Sequence, residues 1–215
     1  MTKLLAFLFL ALVSFNQNSF AQVDDSQARA ILNKISEKAK SYENMKFEFS
    51  YRMIDKAHNI DNSIKGSIVM QGDKYNLHIM GRNVISDGKT MWTFDPDAEE
   101  IQINNADEAK DAFNFLKLMV SIGDDYKAKL IKTIKENGVE YYLIDLTPIE
   151  AKSYYKVRLK VNKLESWVEE ANIYEKDNVE YNFKVDKFSA NLKLPANFFA
   201  LNPAKYPDAE VVDLR

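Results

Sequence analysis

Few side chains in this sequence have the types and spacing to do chemistry. Two histidines are the whole supply, His58 and His78. His58 stands in the polar run His58-Asn59-Ile60-Asp61-Asn62 and His78 on the outward phase of an alternating segment, and neither has partners at a zinc-ligand spacing. There is no cysteine, which excludes thiol nucleophiles, thiolate metal sites and disulfides. Asp95, Asp97 and Glu99 begin like a calcium loop, but Glu100 fills the sixth position, where that loop turns on a glycine. Asp124-Asp125 and Glu169-Glu170 are adjacent carboxylates, which an extended chain points to opposite faces. No Gly-x-Ser-x-Gly elbow, phosphate loop or dinucleotide fingerprint occurs. Lys156, Arg158 and Lys160 form a basic row at period two, which reads as a solvated outer face, with docking as the alternative. No nucleophile–base set can be assembled, so the expectation is a non-enzyme with no cofactor and no metal.

What the sequence has in quantity is aromatic and methionine side chains on alternating segments. Met45, Phe47, Phe49, Tyr51 and Met53 alternate with Lys46, Glu48, Ser50 and Arg52, the pattern of a half-buried strand. Ile64, Gly66, Ile68 and Met70 make the inward set of the next strand, and Tyr75, Leu77 and Ile79 that of a third. From Val84 to Ile103 runs a meander with Trp92 at its centre. Asp87-Gly88 reads as a tight hairpin turn, and Asp95-Pro96-Asp97 as a break before Ile101 and Ile103. Its aromatics belong either to a core hairpin or to a strand that faces a ligand. Strands resume over Lys127 to Glu136 and, beyond Asn137-Gly138, over Val139 to Thr147. They continue over Tyr155 to Val161, Leu164 to Tyr174 and Val179 to Val185, which makes about eleven. The tail from Leu194 to Pro207 is turn-rich with aromatic anchors, expected to pack along the sheet.

Two helical patterns interrupt the strands. Asp24 to Asn44 carries Ala28, Ile31, Leu32, Ile35, Ala39 and Tyr42 on one stripe, with Asp24 and Gln27 placed as a capping pair. Ala106 to Ile122 carries Ala109, Ala112, Phe113, Leu116, Met119 and Val120 on one face, with Gly123 as a stop. A helix this apolar, set midway through a sheet, must bury itself against the sheet's open face. Ahead of everything lies Met1 to Ala21: Lys3, an apolar run from Leu4 to Val13, and small residues at Ser19 and Ala21. That is a secretion signal expected to be cleaved before Gln22, leaving one domain, residues 22–215. The net charge of −3 becomes −4 with the loss of Lys3, and gives no footprint for nucleic acid.

The words Ser86-Asp87-Gly88-Lys89-Thr90-Met91-Trp92, together with the order helix, strands, helix, strands, resemble the outer-membrane lipoprotein carrier protein family, LolA. The resemblance implies an open, eleven-stranded antiparallel half-barrel, mainly β in an α+β fold. Its concave face would be covered by the N-terminal helix and the mid-chain lid helix. It implies a monomeric periplasmic carrier that takes acylated lipoproteins from an inner-membrane ATP-driven extractor to the outer membrane, with an outer-membrane receptor as a further partner. The acyl-binding face would consist of Phe47, Phe49, Tyr51, Ile68, Met70, Tyr75, Leu77, Ile79, Trp92 and Phe94, and the lid of Phe113, Leu116, Met119 and Val120. The family's arginine that holds the lid closed falls near Gly72, between Gln71 and Asp73, and no arginine stands there. The alternative on the same fold is a periplasmic regulator that senses lipid or protein.

Overall fold

The structure is a computed structural model and describes residues 25–106 and 122–215. The expected signal segment lies outside these residues, as do residues 107–121 of the expected lid helix, with Phe113, Leu116, Met119 and Val120 among them. Helix α1 spans Ser26–Lys40. The strands are β1 (Met45–Asp55), β2 (Ile60–Gln71), β3 (Lys74–Ile79), β4 (Arg82–Ser86), β5 (Thr90–Asp95), β6 (Glu100–Asn105), β7 (Tyr126–Glu136), β8 (Val139–Pro148), β9 (Tyr154–Asn162), β10 (Trp167–Glu175), β11 (Val179–Ala190) and β12 (Glu210–Asp213).

All twelve form one sheet in the order β12-β6-β5-β4-β3-β2-β1-β11-β10-β9-β8-β7. The sheet is therefore two meanders, β1 to β6 and β7 to β11, fused where β1 pairs antiparallel with β11. It does not close, since β7 and β12 remain its edges. The expected count of eleven omits β12, which adds to β6 in parallel through Glu210↔Glu100 to Asp213↔Ile103. Four residues with exposed side chains at three of the positions carry too little pattern to read as a strand.

The turns follow from residues that tolerate positive φ. Asn137 and Gly138 both adopt it (φ 49° and 84°), giving the two-residue type I′ hairpin expected between β7 and β8. At Asp87-Gly88 only Gly88 is positive (φ 92°). The turn there is a four-residue loop, closed by Ser86↔Met91, rather than a two-residue one. Asp87 Oδ1 holds it by accepting the N–H groups of Lys89 and Thr90, each at 2.8 Å.

The helix is capped by Asp25, one residue beyond the expected Asp24. Asp25 Oδ1 accepts from Gln27 N–H at 2.9 Å, Oδ2 accepts from Leu130 N–H at 3.1 Å, and its own N–H donates to Ala128 O at 2.9 Å. The cap thus ties α1 to the edge strand β7. Ala28, Leu32 and Ile35 from the expected stripe are buried, each large aliphatic contributing about 1.5–3 kcal/mol. They share one cluster with Phe47, Phe49, Ile68 and Leu77 on one side and Ala128, Ile144, Leu146, Leu159 and Phe183 on the other. Leu77 on β3 and Ala128 on β7 are seven strands apart in the sheet order, so the sheet, with its natural twist, wraps around the helix. We call this helix-bearing side the inner face.

A smaller cluster lies on the outer face of β4 to β6. It joins Ile85, Ile101 and Ile103 with Leu201, with Trp92, Phe94, Tyr206 and Ala209 packed against it. The C-terminal segment crosses this face as the sequence suggests, its Phe198 carbonyl accepting from Asn76 Nδ2 at 3.2 Å.

Candidate functional site

The inner face is laid down by cross-strand registry. Met45, Phe47, Phe49 and Tyr51 on β1 stand opposite Met70, Ile68, Gly66 and Ile64 on β2. Ile68 and Met70 in turn face Leu77 and Tyr75 on β3, and Leu77 faces Val84. Eight of the ten expected acyl-face residues, Phe47, Phe49, Tyr51, Ile68, Met70, Tyr75, Leu77 and Ile79, therefore share one surface with α1. Phe47, Phe49, Ile68 and Leu77 are buried within it, while Tyr51, Met70, Tyr75 and Ile79 are half-buried along its margin.

Trp92 and Phe94 do not join them. Trp92 pairs with Ile85 and Ile103, and Phe94 with Asn83 and Ile101, all on the outer phase. The inner positions of β5 and β6 are Met91, Thr93, Gln102 and Asn104. The apolar side of the sheet thus changes over between β3 and β5. Phe94 packs tilted against Tyr206 at 4.3 Å between ring centroids, so the C-terminal segment claims Trp92 and Phe94 for a structural core rather than the inner surface.

Other residues belong to the inner surface and were not read as site residues. Phe188 contacts Tyr42 (5.6 Å), Phe47 (5.2 Å) and Trp167 (5.6 Å). These rings and Met45 wall a small slot of about 50 Å³ beneath the C-terminal half of α1. Phe188 escapes the period-two pattern because the pairing of β1 with β11 slips between Glu48↔Lys187 and Phe49↔Val185. Only the aromatic excess just past that slip could have signalled it. Next to the slot, sharing Ala39, Tyr42 and Met45, a hollow of about 430 Å³ opens between the end of α1 and the β2–β3 turn, with Met70 on its wall and Gln71, Gly72 and Asp73 at its rim. On the other side of α1 lies a third hollow of about 250 Å³, lined by Ile31, Lys34, Tyr142 and Val161.

Charge on this surface is confined to the borders of α1, where Lys38 pairs with Glu165 at 3.8 Å beside the slot. Burial, aided by the neighbouring Tyr181, pushes the Tyr51 hydroxyl up to about 12. Burial likewise pushes Tyr75 to about 12, against the opposing effect of its hydrogen bond with Ser86. Both present neutral rings at any physiological pH, and Tyr51 stacks on Tyr181 at 5.7 Å. The nearest arginines in sequence to Gly72 are engaged elsewhere: Arg52 with Asp61 at 2.5 Å and Arg82 with Asp95 at 2.6 Å. Asp95 also caps its own turn, accepting from the N–H groups of Asp97 and Ala98, so its oxygens serve the loop. His58 Nδ1 lies 2.7 Å from Asp55 Oδ2, which fixes the β1–β2 turn. His78 Nδ1 lies 2.7 Å from Asn83 Oδ1 on the outer face. These polar groups sit away from the slot and hollows beneath α1, whose walls mix apolar side chains such as Tyr42, Met45, Phe47, Met70 and Phe188 with charged ones such as Lys38, Lys40, Glu43 and Glu165.

Comparison with known proteins agrees with this geometry. The outer-membrane lipoprotein carrier protein of Francisella tularensis subsp. tularensis is 19% identical over 189 residues, covering 81% of this chain and 89% of that protein. Among solved structures, an uncharacterized conserved protein from Thermus thermophilus superposes with a TM-score of 0.60 at 12% identity, over 87% of this chain and 99% of that one. LprF from Mycobacterium bovis superposes with a TM-score of 0.51 at 11% identity, over 80% and 98%. At such identities these structures show a common fold, an open sheet wrapped on a helix. The family model for the outer membrane lipoprotein carrier protein LolA matches residues 69–202, from the end of β2 through the C-terminal crossing. That match takes in more than half of the chain, which therefore belongs to the LolA family.

Proposed function

We propose that this protein is a periplasmic carrier that shelters the acyl chains of lipoproteins between the inner and outer membranes. The observation that supports this most is the inner face: an apolar surface of Phe47, Phe49, Ile68 and Leu77 bordered by half-buried Met70, Tyr51, Tyr75 and Ile79, with hollows opening beside it under α1. The physical demand is large. At about 0.8 kcal/mol per buried CH₂, a sixteen-carbon chain that leaves a bilayer loses on the order of 10 kcal/mol. A carrier must replace most of that with its own apolar surface, and methionines such as Met45 and Met70 adapt to flexible chains. In this reading residues 1–21 direct export and are removed, and Phe113, Leu116, Met119 and Val120 cover the inner face when it is empty. An inner-membrane ATP-driven extractor loads the cargo and an outer-membrane receptor takes it. The protein performs no reaction and acts as a monomer. Among the described residues no helix is long and apolar enough to cross a membrane.

The test is mass spectrometry of the protein recovered from the periplasm. Acylated lipoprotein or lipid should co-purify, and Met70→Glu should sharply reduce it without unfolding the sheet. Recovery of a folded protein that carries no acyl chain and binds none in vitro rules the carrier reading out. An unacylated protein partner in its place supports the sensing alternative.

A further inference from the structure

On the outer face, the registry of β7, β8 and β9 builds a grid of charge. Lys129, Asp145 and Arg158 form one row and Lys132, Leu143 and Lys160 another, while Lys127 faces Thr147 and Lys156 is the next residue of the same phase on β9. Successive rows are about 7 Å apart along the strands, and neighbours within a row about 5 Å apart. Six of these nine positions are cationic, and Asp145 is the one acid, on a chain whose net charge is −3.

The cations are not equivalent. Arg158 is bound to Asp145 through Nε at 2.6 Å and Nη2 at 2.8 Å. Lys160 meets Glu136 at 2.5 Å and Glu169 at 3.8 Å. Lys156 lies 4.1 Å from the centre of the Tyr174 ring. Lys127, Lys129 and Lys132 form no ion pair among the described residues, and Lys129 and Lys132 are exposed. Of the three β9 cations, Arg158 and Lys160 are thus paired with carboxylates, while the β7 margin presents ammonium groups beside an open sheet edge.

Exposed apolar groups border the grid: Ile131 (40% exposed) bulges from β7, Ile149 (57%) follows the end of β8, and Tyr155 (51%) stands on β9 beside Lys156 and Tyr174. Lysines on an open sheet face with aromatic and aliphatic side chains beside them suit a bilayer surface. The ammonium groups meet lipid phosphates, and the apolar side chains sit at the headgroup boundary.

We infer that the outer face of β7 to β9 docks this protein, reversibly, on the headgroups of an anionic phospholipid bilayer. The inference stands on charge and exposure and does not depend on what the inner face binds.

The test is flotation of the chain beginning at Gln22 with vesicles of phosphatidylcholine alone or with a quarter phosphatidylglycerol, at 50 mM and 500 mM salt. The wild-type protein should float with the anionic vesicles at low salt and release at high salt. K127E/K129E/K132E should lower binding at least tenfold, and K127Q/K129Q/K132Q by less. K65E/K74E/K205E imposes the same change of net charge on exposed lysines elsewhere and should bind like wild type; circular dichroism checks that each variant is folded. I149S/Y155S should bind several-fold more weakly with the salt response retained. The inference is overturned if the wild-type protein does not prefer anionic vesicles, if the two glutamate variants lose binding equally, or if I149S/Y155S binds as wild type.

Discussion

Gly66 shows how tightly the inner face is set at the level of one residue. It stands opposite Phe49 in the β1–β2 ladder, and a Cβ there would lie 2.6 Å from Phe49 Cζ and 2.9 Å from the His78 carbonyl oxygen. Glycine in a strand costs about 0.5–1 kcal/mol relative to alanine, so a favourable change would be expected if there were room. There is none, since the His78 contact is backbone. Gly66→Ala should therefore destabilise the fold by about 1–3 kcal/mol, measured by urea unfolding. Combining it with Phe49→Leu should cost less than the sum of the two, because the pair shares the collision. The position was legible in the sequence as part of an inward set, but not the reason for it, which is the ring lying across the strand.

At the level of elements, α1 depends on Asp25 in two ways: the carboxylate caps the helix and also satisfies Leu130 N–H on the edge strand. Asp25→Ala should remove the cap, worth about 1 kcal/mol, and leave Leu130 N–H short of a partner, worth about another. Asp25→Asn should retain most of the first contribution. Thermal or urea unfolding separates these outcomes. Element by element the strands were readable, because alternation and the turn pairs Gly72-Asp73 and Asn137-Gly138 are local signals. Which face an aromatic takes was less so. Met91 and Trp92 are both apolar and adjacent, so β5 has two candidate inner faces. What decides between them is Leu201 and Tyr206, far along the chain, which cover Trp92 and Phe94. Leu164 illustrates the same limit. It looks like the start of a strand, yet it is 85% exposed at the tip of the turn that Asn162 Oδ1 holds by accepting from Leu164 and Glu165 N–H.

At the scale of the whole molecule, the two sheet edges are protected differently. On β7 the slip between Leu130 and Lys132 and a series of lysines discourage strand addition. β6 is instead covered by the chain's own β12, through Glu210 N–H to Glu99 O at 2.8 Å and Leu214 N–H to Ile103 O at 2.8 Å. Ending the chain at Asn202 should bare the β6 edge and the Phe94 ring together. The expected result is concentration-dependent self-association by light scattering, with the β1–β11 half of the sheet still folded. The seam between β1 and β11 carries a different consequence, one of timing. Phe49 must wait for Val185 and Tyr51 for Phe183, partners placed near the other end of the chain. Either meander can form from neighbouring segments, but the surface they enclose cannot exist until the last long strand is in place. Contacts of such separation slow folding, so a newly synthesised chain passes through a stage in which β1, with its aromatic residues, presents a bare edge. The same strand that anchors the finished inner wall is thus the one whose exposure, during folding, a cell has most reason to shorten.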